Sequence, residues 1–109
     1  MDFEVDAWAD DDTVRVLLHG ELDLAAIPGL RTAIHQAVTT PAKLSVTVDL
    51  RKVTFLDCTA LGELVRGRHL ALHRGLRYQV VQAHGLPLQV MAITGTLPLL
   101  STNETGTPD

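Results

Sequence analysis

The sequence holds a single cysteine, no cluster of basic residues and no long apolar run, and each shortage removes a class of protein. Cys58 alone cannot form an internal disulfide, which fits a reducing compartment. Nine Lys and Arg are scattered among thirteen Asp and Glu, with only Arg51 and Lys52 adjacent, for a net charge of −4, so no basic footprint invites a nucleic acid. No apolar stretch approaches the roughly 18 residues that suggest a membrane span. The first residues, MDFEVDAWADDD, lack the basic-then-apolar order of a signal peptide. The expectation is a cytoplasmic chain with neither nucleic-acid nor membrane partner and with no cofactor. Its 109 residues suit one domain, and 46% apolar with 20% charged residues is an ordinary globular balance.

What is present is patterning. Residues 2–8 alternate, with Phe3, Val5 and Ala7 on one side and Glu4 and Asp6 on the other, which predicts a half-buried edge strand. Asp10, Asp11 and Asp12 read as a solvated hairpin loop rather than a cation site, and 13–18 is a second strand. After Gly20-Glu21-Leu22-Asp23 the period lengthens. Ile27, Leu30, Ile34 and Val38 share a helical stripe over 26–39, with Pro28 suited to its first turn. Residues 44–50 alternate as a third strand, and Val53 to Leu56 follow as a short extended piece. A second helix over 59–73 carries Leu61, Leu64, Val65 and Leu72 on its stripe. A fourth strand spans 77–83 and a short helix 86–94, stopped by Gly95. Leu97 to Leu100 is a candidate last strand, and 101–109 reads as a disordered polar tail. The order ββαβαβα predicts an α/β domain over 1–100, built on a mainly parallel sheet of four to five strands.

In open α/β sheets, function gathers where strands feed helix N-termini, because backbone N–H groups and the helix dipole converge there. Two junctions qualify: Gly20 to Asp23, and Phe55 to Gly62. The second sets a carboxylate, a thiol and a hydroxyl in succession at Asp57, Cys58 and Thr59. On capping grounds alone, Asp57 or Thr59 would accept hydrogen bonds from the first helical turn. Both loops should leave the same end of the parallel strands. Glu21, Asp23, Asp57, Cys58, Thr59 and Gly62 are therefore expected to form one partner-binding surface.

Gly20-Glu21-Leu22-Asp23, Val48-Asp49-Leu50, Val53 to Gly62 and Ile93-Thr94-Gly95 together resemble the STAS domain family, over residues 3 to about 100. More narrowly, they resemble its single-domain bacterial anti-sigma factor antagonists. That resemblance implies a mixed sheet with helices packed mainly on one face, and a partner-switching role in transcription. The unmodified antagonist binds an anti-sigma factor with serine/threonine kinase activity and an ATPase-type fold, and phosphorylation reverses this. By the same resemblance, the residue after Asp57 is the phosphoacceptor serine, and Asp23 lies near it. This chain departs there: Cys58 occupies the acceptor position, Ala60 stands where glycine is usual, and Thr59 is the nearest hydroxyl. A step of one on a helix turns a side chain by about 100°, so Thr59 is expected to point away from a bound kinase.

Rival readings start from single residues. Nucleophilic catalysis at Cys58 needs a base and an oxyanion site that no signature assigns, so no enzyme is expected. Redox sensing by the Cys58 thiol is the simpler alternative. His69 and His73, four apart, lack further ligands and read as solvated helix residues; His19, His35 and His84 have no companion at useful spacing. Phe3 and Trp8 read as core or edge packing, or, if exposed, as a homodimer or partner contact. A third reading is a non-switching scaffold of a stressosome-like or lipid-transport assembly.

Overall fold

Phe3–Asp10 (β1) and Thr13–Leu22 (β2) form an antiparallel hairpin in the computed structural model, which describes residues 3–101. Asp11 makes the two-residue turn with φ 56°, a left-handed conformation that a short polar side chain tolerates. One turn of 3-10 helix, Leu24–Ala26, leads into Ile27–Val38 (α1). Ser45–Leu56 (β3), Cys58–His73 (α2), Arg77–Val81 (β4), Gly85–Ile93 (α3) and Leu97–Ser101 (α4) complete the chain. The sheet order is β1-β2-β3-β4, with β2, β3 and β4 parallel. This is the mixed, mainly parallel α/β architecture that the patterning predicts.

Five details differ from the expected outline. Leu97 to Leu100 is helix, not strand: Pro98 fits a first turn, Leu100 donates its N–H to the Thr96 carbonyl, and its side chain is buried. The extended piece before Asp57 is continuous with β3, and Gly20 to Leu22 belongs to β2 rather than to a turn. β1 runs on to Asp10, leaving Asp11 and Asp12 as the loop. β4 stops at Val81 because Gln82 takes φ 63°, which no strand continues. Ser101, expected to open the tail, instead closes α4, while residue 2 and the remainder of the predicted tail, 102–109, lie outside the described residues.

The core lies between the sheet and the helices. Val14, Val16, Leu18 and Leu22 of β2, Val46, Val48 and Leu50 of β3, and Tyr78 and Val80 of β4 are buried with the α1 stripe of Ile27, Leu30, Ile34 and Val38. On α2 the buried face is Ala60, Leu61, Leu64, Gly67 and Ala71, while Val65 and Leu72 are only half-buried. Small residues, not the largest apolar ones, bring α2 close. A Cβ on Gly67 would stand 2.7 Å from Cγ2 of Ile34 and 2.8 Å from the Tyr78 hydroxyl oxygen. That hydroxyl cannot simply swing aside, because it donates to the Leu64 carbonyl at 2.8 Å inside the core. Burial accordingly pushes the Tyr78 phenol well above its ordinary pKa.

Across the outer side of the two helices, Arg31 donates to Glu63 twice, from Nε to Oε1 at 3.1 Å and from Nη2 to Oε2 at 2.7 Å. The hydrogen bond from Arg31 holds the Glu63 carboxyl below the usual carboxylate range; partial burial opposes this, and the charges of Arg31 and Arg66 add to it.

Two measurements test these contacts. Gly67→Ala should lower stability by about 1–2 kcal/mol in urea unfolding, because overpacking outweighs the helix propensity gained; an unchanged midpoint would show that α1 and α2 part freely. The depressed Glu63 carboxyl stabilises the fold above the unfolded-state carboxylate pKa, and that contribution disappears as pH falls through the lower folded value. The stability gap between the parent chain and Glu63→Gln should therefore narrow as the solution is acidified. A gap independent of pH would mean that the ion pair contributes nothing.

Candidate functional site: the paired ends of β2 and β3

The site begins with a mismatch in strand length. Between Leu17 and Leu22 the parallel register shifts twice, so β3 carries two more residues than β2 over the same span. Gly20, at φ 94°, supplies the left-handed backbone near the second shift. At the first, the Asp49 carboxylate accepts the Arg51 N–H at 2.9 Å, a local turn inside the strand. The shifts change the period of β3 from two to three, and Leu50, Val53 and Leu56 all face the core. Leu22 and Leu56 then pair, and the Asp57 N–H donates to the Leu22 carbonyl at 3.1 Å. Asp23 and Asp57 consequently leave the sheet side by side.

Asp57 is extended, with φ −96° and ψ 174°, and its Oδ1 accepts the Ala60 N–H at 2.9 Å. Of the two candidates, Asp57 is thus the cap of α2. Ala60 and Leu61 turn inward; Cys58, Thr59 and Gly62 are exposed, and a Cβ at Gly62 would meet nothing within 4 Å. Beside this first turn, Glu21, Asp23 and Asp57 line one shallow cleft of about 520 Å³ together with Leu24, Ala25 and Phe55. Leu24 is 70% and Phe55 37% exposed, so the cleft combines three carboxylates with an apolar rim. Among the described residues, Oδ1 of Asp23 is buried with no hydrogen-bond partner.

Three of the six expected residues therefore share a cleft. Cys58 and Thr59 adjoin it on the first turn of α2, and Gly62 lies one turn further along. Leu24 and Phe55 were not expected there. No sequence signal marks Leu24, and the step of three from the buried Val53 turns Leu56 rather than Phe55 to the core. His69 and His73 are both exposed on α2, and no group of three or more potential ligands is close enough to hold a metal among the described residues. Phe3 is half-buried, its ring standing over Gly29, whereas Trp8 is 44% exposed. No described helix is long and apolar enough to cross a membrane.

This fold and the paired strand ends define a STAS domain, and the chain belongs to that family: the family model described as "Mlab, STAS domain" matches residues 6–100. Among solved structures, the chain is similar to an anti-sigma factor antagonist from Mycobacterium paratuberculosis, with 21% identity and a TM-score of 0.77 over 91% of this chain and 83% of that one. It is also similar to the anti-sigma factor antagonist SpoIIAA in its unphosphorylated form (18%, TM-score 0.67, 87% and 83% covered). The phosphorylated form of the Bacillus cell fate determinant SpoIIAA gives 20%, a TM-score of 0.69, and 95% and 92% covered. At these identities the likeness is one of fold. A search of curated protein sequences returns no match.

The cap has a measurable consequence. Asp57→Ala should cost about 1 kcal/mol of stability in chemical denaturation, and Asp57→Asn much less, since an amide oxygen can still accept from the first turn. Equal losses for the two would mean that Asp57 acts through its charge and not as a cap.

Proposed function

We propose that this chain is an anti-sigma factor antagonist: it binds an anti-sigma factor of the serine/threonine kinase type, with its ATPase-type fold, and so regulates transcription. The observation that carries this reading is the acidic, apolar-rimmed cleft of Glu21, Asp23 and Asp57 set beside the exposed first turn of α2. Glu21, Asp23, Asp57, Cys58, Thr59 and Gly62 form the contact surface. A basic side chain from the partner would meet the carboxylates and satisfy the buried Asp23 oxygen, while Leu24 and Phe55 supply apolar area around it. Structural neighbours that are themselves anti-sigma factor antagonists support the reading. The chain acts by binding and not as an enzyme, inside the cytoplasm.

The switch differs from the family's usual one. Cys58 stands at the first helical position after the capping aspartate and is exposed. A thiol there is not a substrate for a kinase that phosphorylates Ser or Thr, so the chain stays in its binding-competent form. The missing hydroxyl also favours a second reading, a non-switching scaffold of a stressosome-like or lipid-transport assembly. Redox sensing at Cys58 rests on its exposure alone.

Incubation with the cognate kinase and ATP should leave the mass of the parent chain unchanged, while Cys58→Ser should gain a single phosphate. Stoichiometric phosphorylation of the parent at Thr59 would return it to the switching class. Affinity capture with the full chain should recover a small ATPase-fold kinase; recovery of transporter subunits instead would select the scaffold reading.

A further inference from the structure

β1 is the outer strand of the sheet, and among the described residues no other element pairs with its free side. The hairpin register says which backbone groups are open there. In a two-residue hairpin the closing pair exchanges both of its backbone hydrogen bonds, and every second pair along the ladder does the same. Closure at Asp10 and Thr13 therefore directs the N–H and C=O groups of Asp10, Trp8, Asp6 and Glu4 toward β2. Those of Ala9, Ala7 and Val5 point to the open edge.

The two faces along that edge differ in chemistry. Val5, Ala7 and Ala9 stand over α1, and their small side chains leave a groove of about 730 Å³ whose other wall is Pro28, Gly29 and Ala33. The opposite face of the same strand presents Glu4, Asp6 and Asp10 around the exposed Trp8, and β1 itself carries no basic residue. Arg15 and His19 of β2 each contact one of these carboxylates, and Asp11 and Asp12 extend the acidic end into the turn.

We propose that the open edge of β1 takes up an extended segment of a partner protein, as an added strand whose residues alternate between apolar and basic. Main-chain bonds to Val5, Ala7 and Ala9 hold it, its apolar residues fill the groove over α1, and its basic residues lie along Glu4, Asp6 and Asp10. The charge selects this occupant over a second copy of the chain. Self-pairing would bring Glu4, Asp6 and Asp10 against their own counterparts, and like charges on facing strands repel. This surface is separate from the cleft at Asp23 and Asp57 and does not depend on the role assigned to that cleft.

The test uses the full chain, labelled with ¹⁵N, and a short synthetic peptide of alternating lysine and valine. Amide shifts should concentrate at Val5, Ala7 and Ala9, and hydrogen exchange at those positions should slow by about tenfold or more when the peptide is bound. A peptide of alternating glutamate and valine should bind at least about tenfold more weakly. Ala7→Pro removes an outward N–H that β2 does not use, so the fold should persist and peptide binding should be lost. The double variant Glu4→Lys, Asp6→Lys should weaken binding of the lysine peptide without touching the edge backbone. The proposal is overturned by an absence of shifts on β1, by equal binding of the glutamate peptide, or by unchanged binding to both variants. It is equally overturned if β1 amides become protected with protein concentration alone, which would assign the edge to a second copy.

Discussion

The parallel pairing of β2 with β3, and its two one-residue shifts, is the constraint from which the rest of the molecule follows. An unshifted ladder on a period of two would put Lys52 and Thr54 in the core and leave Val53 in solvent. The shifts turn Val53 inward between Leu50 and Leu56 instead, so the far end of β3 can still pack under the helices. They also bring Leu22 and Leu56 level, and with them the residues that follow. The Asp57 N–H on the Leu22 carbonyl is the last rung of this ladder, and it fixes the spacing between the starts of the two helical segments. Without that rung, Asp23 and Asp57 would have no reason to share a cleft.

The same shifts explain what could be read from the sequence and what could not. Alternation over 44–50 and the stripe of Ile27, Leu30, Ile34 and Val38 are plain because each holds a single period from end to end. β3 changes its period halfway, so Arg51 and Lys52 look like the end of a strand. Gly20 looks like a turn for a similar reason: its left-handed φ serves an irregular ladder rather than a reversal of the chain. The carboxylates of the site were legible because they stand next to helix starts, whereas no sequence signal marks Leu24, and Phe55 is turned outward by the step of three from Val53 to Leu56. Leu97 to Leu100 misled because an apolar run of four residues has no period at all.

On α2 the difficulty was one of size. Hydrophobicity points to Leu72 and Val65, but a helix that must lie close to a neighbouring helix and a buried tyrosine needs small residues at the contact. Ala60, Gly67 and Ala71 let the backbone approach, and the Tyr78 hydroxyl fills the remaining space while bonded to the Leu64 carbonyl. α2 is therefore located from its backbone side as much as from its leucines. The Arg31–Glu63 pair sits outside this contact, where solvent weakens it, and adjusts stability without deciding position.

These features separate the surface at the start of α2 from the stability of the fold. The cap is supplied by Asp57, and the inward anchor by Ala60, Leu61 and Leu64. Cys58 and Thr59 project from the same turn into solvent and serve neither purpose. A thiol can therefore stand where the family resemblance implies a hydroxyl without any adjustment of the core. Asp23 is different. Its Oδ1 has no hydrogen-bond partner among the described residues, and it lines the cleft shared with Glu21 and Asp57. No bond to Oδ1 among the described residues holds that carboxylate in place, and the partner proposed above would reach it through the cleft.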